Sequence, residues 1–187
     1  MNLLETVLKA GGGNVVQQLS KNFNLDSKQA SSALGALLPM LSQGVKKNMG
    51  SENGTQALLG ALSGGSHKRY LEDSNDFSSQ DTAKEGNSIL GHLLGSKEGS
   101  RNAAQEAANK TGIDVSILKK MLPAAATLTM GALSKQASSN NLLGAISGAG
   151  KDKAPSGASS LLFSFLDADK DGSSVDDVMG FAKKFFK

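Results

Sequence analysis

The chain alternates between stretches in which apolar residues recur every three or four positions and stretches rich in Gly, Ser, Asp and Asn. This spacing matches the period of an amphipathic α-helix, whereas the strict apolar–polar alternation typical of a half-buried strand is rare. The clearest apolar stripe is formed by Ala30, Leu34, Leu37, Leu38, Leu41 and Val45. The pattern therefore predicts an all-α fold.

Local signals predict where this long helix begins and how it is interrupted. A shorter apolar stripe upstream indicates a helix that ends near Asn24. Asp26 or Ser27 is expected to cap the next helix, because a short polar side chain accepts hydrogen bonds from the free N–H groups of a first turn. Pro39 removes a backbone donor and crowds the preceding turn, so we expect a kink or a brief break there.

Part of the chain occurs twice. The stretch LLGALS at 58–63 returns as LLGAIS at 142–147, and Leu38-Pro39 returns at the same offset as Leu122-Pro123. Upstream, Asp26 corresponds to Asp114, the expected cap of the second long helix, after a shift of about one helical turn, which preserves the apolar face of a helix. The second copy has its own stripe, formed by Ile117, Leu118, Met121, Leu122, Leu128 and Leu133. Such self-similarity predicts two related helical units.

Changes in composition predict the boundaries of the parts. In the polar region between the copies, only Tyr70, Leu71 and Phe77 are large enough to be buried, so we expect a loose linker or a loop with one short helical turn. The predicted parts are a first helical unit at 1–63, a polar linker at 64–87, a second unit at 88–147, a linker at 148–157 and a helix–loop–helix tail at 158–187.

Composition and charge narrow the functional classes. The 20 basic and 17 acidic residues give a net charge of +3 without a run of five like charges, so a nucleic-acid partner is not expected. The absence of cysteine excludes disulfides and thiolate metal sites and fits a reducing compartment. The N-terminus reads poorly as a signal peptide, and no window approaches the ~18 apolar residues of a spanning helix. A cytoplasmic protein is expected.

Several stretches resemble a known family in their order along the chain: FNLDSKQASSALGALLPMLSQGVKKN, GNSILGHLLGSKEGSRNAAQEAANKTGID, LKKMLPAAATLTMGALSKQ and DADKDGSSVDDVMGFAKKFF. In these the sequence is similar to the YidB-like family, a bacterial domain family of unknown function. The resemblance covers nearly the whole chain except 64–86. It implies an all-α fold and a bacterial intracellular setting, and it assigns no catalytic residue and no role to His92.

The stretch DADKDGSSVDD at 167–177 is a candidate calcium site. In an EF-hand loop, oxygen ligands occupy positions 1, 3, 5, 7, 9 and 12, with Gly at position 6. Counted from Asp167, Gly172 falls at position 6, but position 12 is Val178, which has no carboxylate, so a shortened loop closed by Asp177 or Asp176 is required. The predicted ligands of a Ca²⁺ ion are Asp167, Asp169, Asp171, the Ser173 carbonyl and Asp177.

A purely structural explanation of this stretch stays open. Ser173 or Ser174 can cap the last helix, with Asp176 or Asp177 as the partner in a capping box, and acidic residues suit a helix N-terminus. Capping needs only one or two carboxylates, however, and the five in this stretch repel one another. An ion would relieve that repulsion.

Catalytic motifs are missing. His92 lies between apolar neighbours and is expected to be a partly buried, hydrogen-bonded residue rather than a ligand. His67 lies in the polar linker without a partner in sequence. Two histidines and no cysteine leave little material for a zinc site or a triad, and the chain has neither a nucleophile elbow nor a P-loop. The sequence therefore predicts a protein that is not an enzyme.

Three functions are consistent with these features. The first is a helical interaction or scaffold protein that binds a protein partner or a second copy, with its amphipathic C-terminal helix buried rather than lying on a membrane surface. The alternative is a binder of an apolar small molecule or lipid between the two units, with room left by Ala124, Ala125, Ala126 and Gly131. The third is a hydrolase, which would need His92 hydrogen-bonded to a serine in a cleft.

Overall fold

The computed structural model describes residues 3–50, 54, 58, 62, 67, 69–72, 77 and 79–139, and no strand occurs among them. The all-α prediction is confirmed. The helices are α1 (Leu3–Lys9), a 3₁₀ turn (Ala10–Gly13), α2 (Asn14–Phe23), α3 (Ser27–Met49), α4 (Arg69–Glu72), α5 (Gln80–Leu94), α6 (Lys97–Thr111) and α7 (Val115–Ser139).

The predicted boundary between α2 and α3 is confirmed. Asn24 ends α2 in the left-handed conformation, with φ of 53°. Asp26 then caps α3 in a capping box, in which its Oδ1 accepts from the Gln29 N–H at 2.7 Å and Gln29 Oε1 accepts from the Asp26 N–H at 3.0 Å. Two free donors of the first turn are satisfied in this way.

The expected break at Pro39 is wrong, because α3 runs through Pro39 from Ser27 to Met49. The same holds for Pro123 in α7. Each proline costs one backbone hydrogen bond, but tertiary burial on both sides of it, as at Leu38 and Leu41, holds the helix together. The predicted stripe of α3 is buried throughout, and the stripe of α7 is buried except at Ile117, which is half-buried.

The prediction of a loose linker up to residue 87 is wrong over its last part, because α5 begins at Gln80. Ser79 caps this helix, and its Oγ accepts from the Thr82 N–H at 3.1 Å. The inward-facing positions of the first two turns are Thr82 and Gly86. Because neither is a large apolar residue, the apolar spacing that marks a helix is missing from this part of the sequence. Within the same predicted linker, Tyr70, Leu71 and Phe77 are buried.

Helix α7 is the centre of the domain and contacts α1 to α6. It is buried continuously over 121–134. Glycines allow close helix approaches: a Cβ on Gly86 would lie 2.6 Å from Pro123 Cα, and a Cβ on Gly44 would lie 2.5 Å from the Leu93 carbonyl oxygen. The backbones of α5 and α7, and of α3 and α5, therefore touch at these two crossings.

Candidate functional site

A small open cavity lies where α3, α5 and α7 come together. Its volume is about 80 Å³, and its lining residues are Asn48, Gly54, Leu58, Ile89, His92, Leu93 and Met130. Most of the wall is aliphatic, and Asn48 and His92 are its polar members. The cavity can accept a small apolar group.

The Asn48 side chain ties two helix ends together at this cavity. Its Nδ2 donates to the Gly44 carbonyl at 2.8 Å, within α3, and to the His92 carbonyl at 2.9 Å, in α5. Since Gly44 itself lies against Leu93, the two helices are joined both by backbone contact and by this amide. The edge of the cavity formed by α3 and α5 is fixed in place.

The expectation that His92 is partly buried is wrong, because His92 is exposed. Helix α5 turns Ile89, Leu90 and Leu93 toward the core, which leaves the position between them on the solvent side. His92 therefore lines the cavity on its solvent side. Its backbone carbonyl, rather than its ring, accepts the hydrogen bond from Asn48.

The small residues that were expected to leave room for a ligand do not line this cavity. Ala124, Ala125 and Ala126 are buried in the interior of α7. A Cβ on Gly131 would lie 2.7 Å from the His67 carbonyl oxygen and 3.2 Å from Leu71 Cγ. The absence of a side chain at Gly131 therefore allows the segment before α5 to approach α7 closely. His67 and Leu71 of that segment fill the space beside Gly131.

A polar cluster around Glu85 holds that segment in place. Glu85 Oε1 lies 2.8 Å from His67 Nδ1, an ion-pair distance at which the N–H is poorly aligned for a hydrogen bond. Glu85 Oε2 accepts from Arg69 Nη2 at 2.9 Å and from the Tyr70 hydroxyl. The Arg69 guanidinium also lies 4.8 Å from the centroid of the Tyr70 ring. One carboxylate of α5 thus contacts three side chains from 67–70.

Burial and charge act in opposite directions on this cluster. Burial alone would raise the pKa of Glu85, but the Tyr70 hydrogen bond and the charges of His67 and Arg69 outweigh it, so the pKa is lowered. Burial raises the pKa of Tyr70, and its hydrogen bond to Glu85 adds to this effect. Glu85 is therefore ionised and Tyr70 protonated at neutral pH. A carboxylate that accepts from several donors is a weak base, so the cluster acts as a structural clamp.

Sequence reasoning missed the Glu85 cluster. His67 was given no partner, yet it is 6% exposed and lies against Glu85. The residues fell in a stretch interpreted as a linker, where no apolar period marked α5. The one available signal is the dense HKRY run at 67–70, which is unusual for a solvated linker.

The predicted calcium ligands Asp167, Asp169, Asp171, Ser173 and Asp177 lie outside the described residues, so the ion site stays a prediction. Within the described ranges, no three histidine, aspartate or glutamate side chains are grouped to hold a metal ion. None of the described helices is both long and apolar enough to cross a membrane.

The fold and its cavity define an all-helical domain built around one central helix. The model of a family described as bacterial protein of unknown function (DUF937) matches residues 5–136, and the chain belongs to this family. The resemblance to the YidB-like family, proposed from sequence alone, fits this assignment. Neither the curated proteins nor the solved structures include a match to the chain. The matched range contains both the cavity and the Glu85 cluster.

Proposed function

We propose that this protein is a non-enzymatic helical interaction protein that binds one apolar side chain of a protein partner, or of a second copy, in the cavity of α3, α5 and α7. The observation that carries the proposal is the cavity itself, with its aliphatic wall and its fixed edge at Asn48. Anchor side chains that fill preformed pockets contribute much of the free energy of protein–protein association.

The size of the cavity favours a side chain over a small molecule or a lipid. Pockets for drug-sized ligands have volumes of about 300–1,000 Å³, and an engineered cavity of about 150 Å³ holds benzene. The cavity here has about 80 Å³, which suits one aliphatic side chain. The apolar small-molecule binder is therefore the weaker alternative. For the hydrolase, none of the hydrogen bonds described for the domain joins a serine to the His92 ring.

We further infer that α2–α3 and α6–α7 are two copies of one helical unit, as the repeated sequence predicts. In support, both shorter helices end at a left-handed residue, Asn24 and Gly112, and both longer helices contain a proline. Asp114 accepts from the Ser116 N–H at 2.7 Å, as Asp26 does from the N–H of Gln29. The cavity has walls from α3 of one unit and α7 of the other.

The Asp-rich tail belongs to the same proposal. Calcium bound by Asp167, Asp169, Asp171, Ser173 and Asp177 would neutralise clustered charge and order the tail. The division into two units and a tail is proposed on the same sequence patterns, with the first linker ending before α5.

Filling the cavity tests the proposed function. Ile89→Phe places extra volume inside it, whereas Ser88→Phe adds the same ring at an exposed neighbouring position of α5. Light scattering at several concentrations, combined with chemical cross-linking to capture partners, should show self-association or a cross-linked partner for the natural chain and Ser88→Phe, and a loss for Ile89→Phe. Far-UV circular dichroism checks that both variants fold. The proposal would be refuted if the natural chain were strictly monomeric and if Ile89→Phe abolished the capture of no partner.

A further inference from the structure

A short segment lies against α5, α7 and the 3₁₀ turn; it consists of residues 67 and 69–72 and is here called the strap. On α7 the strap covers Gly131, where an added Cβ would collide with the strap backbone. On α5 its polar side chains contact the Glu85 carboxylate. Its helix, α4, is a single turn that is too short to be stable alone. The strap is therefore held closed by its contacts with other elements.

The helices beneath the strap are held together without it. At the crossing of α5 and α7, an added Cβ on Gly86 would lie 2.6 Å from Pro123 Cα, and α5 begins at its own cap, Ser79. The apolar side chains that the strap buries are Tyr70 and Leu71. Segments with few buried apolar contacts open more readily than the core around them. The strap can therefore open while the helices stay folded.

The charges that hold the strap meet at one carboxylate. Glu85 Oε1 lies 2.8 Å from His67 Nδ1, and Glu85 Oε2 lies 2.9 Å from Arg69 Nη2. The Tyr70 hydroxyl donates to the same Oε2. Both cationic side chains and the hydroxyl come from the strap, so Glu85 is its single polar attachment to α5 among the described residues.

The other elements around Glu85 place no further charge beside it in the described part of the chain. The inward-facing stretch of α7 at 121–134 contains no ionisable side chain, and neither does the 3₁₀ turn Ala10–Gly13. On α5 itself, Asp81 and Lys84 are exposed and lie 4.0 Å from each other. The charge balance at Glu85 is therefore set by the strap.

Acid reverses this balance. Histidine side chains are cationic in acid, and an ionised Glu85 gives His67 a counter-charge. Once Glu85 takes up a proton, a His67 cation that is 6% exposed has lost that counter-charge, and Arg69 has lost its charged acceptor. A buried charge without a partner is strongly unfavourable. Opening of the strap would return the imidazolium to water.

We infer that the strap opens and closes over α5 and α7 as a unit, with the Glu85 carboxylate as an acid-sensitive latch. Opening uncovers α7 at Gly131 and exposes Leu71. The closed strap lowers the pKa of Glu85 from its ordinary value of 4.5, so closure is favoured above pH 4.5 and is lost as the pH falls through the lowered pKa. No strap residue lines the cavity of α3, α5 and α7, so the inference does not depend on the proposed function.

Because the chain has no cysteine, a single introduced thiol reports on the opening of its own site. Leu71→Cys places the thiol in the strap, and Leu37→Cys is the matched control in the core of α3; the two leucines are 2% and 0% exposed. The reagent is dithiodipyridine, which reacts with thiols in acid, and each rate is divided by that of the same variant in urea at the same pH. Leu71→Cys should react faster than Leu37→Cys at pH 7, and the difference should widen several-fold as the pH falls below 4.5.

A second substitution tests the latch itself. In the Leu71→Cys chain, Glu85→Gln should raise the labelling rate at pH 7 by about tenfold, the effect of losing one charge-assisted hydrogen bond, and should flatten its dependence on pH. Glu106→Gln, which removes an exposed carboxylate of α6, should change neither. Backbone hydrogen exchange on the natural chain, corrected for the intrinsic rate at each pH, is the second measurement. The Tyr70 amide, which donates to the His67 carbonyl, should lose protection in acid before the amides of α3.

Equal labelling of the two cysteines at every pH, with protection lost together in the strap and in α3, would overturn the inference. The strap would then leave only when the whole domain unfolds. Opening of the strap that responds neither to pH nor to Glu85→Gln would also overturn it, because the carboxylate would not be the latch. Neither result bears on the effect of Ile89→Phe on association or capture, which tests the proposed function.

Discussion

The Glu85 carboxylate is a single group on which the position of three residues depends. His67, Arg69 and Tyr70 come from a segment whose only described helix, α4, is four residues long and cannot be stable in isolation. Their contacts with Glu85, together with the buried Leu71, hold this segment against α5 and α7. Loss of one charge should therefore loosen a whole segment.

Replacing Glu85 should make the free energy of unfolding of the chain less dependent on pH in the acid range. Because the pKa of Glu85 in the folded chain is lowered from its ordinary value of 4.5, ionisation stabilises the fold. This contribution is complete above pH 4.5 and is lost as the pH falls through the lowered pKa. Glu85→Gln should cost about 1–2 kcal/mol at pH 7, and the deficit should shrink below pH 4.5, as measured by urea unfolding at several pH values.

Glu106→Gln is the matched control for this prediction. Glu106 is exposed and pairs with Lys110 on the surface of α6, where an ion pair contributes little. Its unfolding free energies should follow those of the natural chain at every pH. Parallel curves for Glu85→Gln and the natural chain would contradict a stabilising role for the ionised carboxylate.

A second prediction at the residue scale concerns the buried hydroxyl of Ser134. Its hydroxyl is buried on α7 and has no hydrogen-bond partner among the described residues. Ser42 is also buried within a helix, but its Oγ donates to the Leu38 carbonyl at 2.9 Å. Ser134→Ala and Ser42→Ala gain the same helix propensity. The difference between their effects on the free energy of unfolding therefore reports on the hydroxyl alone. Ser134→Ala should stabilise the chain by about 1 kcal/mol more than Ser42→Ala in chemical denaturation, and equal effects would contradict this prediction.

Among the helices, the crossing of α5 and α7 depends on a missing Cβ. Gly86→Ala forces that atom against the backbone of Pro123, which cannot rotate away, and should destabilise the chain by about 2 kcal/mol. Gly91 lies on the same helix, is exposed and has no atom within 4 Å of an added Cβ. Gly91→Ala should therefore stabilise by about 0.5–1 kcal/mol. Thermal unfolding of both variants tests this prediction. Equal shifts in melting temperature would mean that α5 and α7 do not approach each other closely at Gly86.

The sequence was informative about helices that carry their own signals. The buried stripe of α3 and the caps Asp26 and Asp114 are local features, and they were predicted correctly. The start of α5 could not be predicted, because Thr82 and Gly86 face inward where a large apolar residue would have marked the period. Continuity through Pro39 depends on tertiary burial, which a local rule for proline does not include.

The candidate cavity was beyond sequence reasoning for a related reason. Asn48, Ile89 and Met130 lie on three helices, and only the packing of those helices brings them together. The sequence does show that small residues are abundant on α7. It does not show whether a small residue leaves space or allows close approach, and at Gly131 the approach of His67 fills the space.

For the chain as a whole, calcium should raise stability only if the tail binds it. With calcium at a hundredfold excess over Kd, the free energy of unfolding should rise by about 2.7 kcal/mol, and Asp169→Ala should abolish that increase. Asp81→Ala, which removes an exposed carboxylate on α5, should keep it. Thermal melts with calcium and with chelator are the measurement. Superimposable curves at millimolar calcium would favour the capping explanation, in which replacing the capping serine costs about 1 kcal/mol.

The Glu85 cluster also determines what optical spectroscopy of this protein reports. The chain has one tyrosine and no tryptophan, and that tyrosine, Tyr70, is 6% exposed and donates to Glu85. A carboxylate that accepts a proton from excited tyrosine quenches its emission. The ultraviolet fluorescence of the entire protein is therefore a gauge of one local contact: it should brighten when the segment at 67–72 leaves α5, even while far-UV circular dichroism still records intact helices.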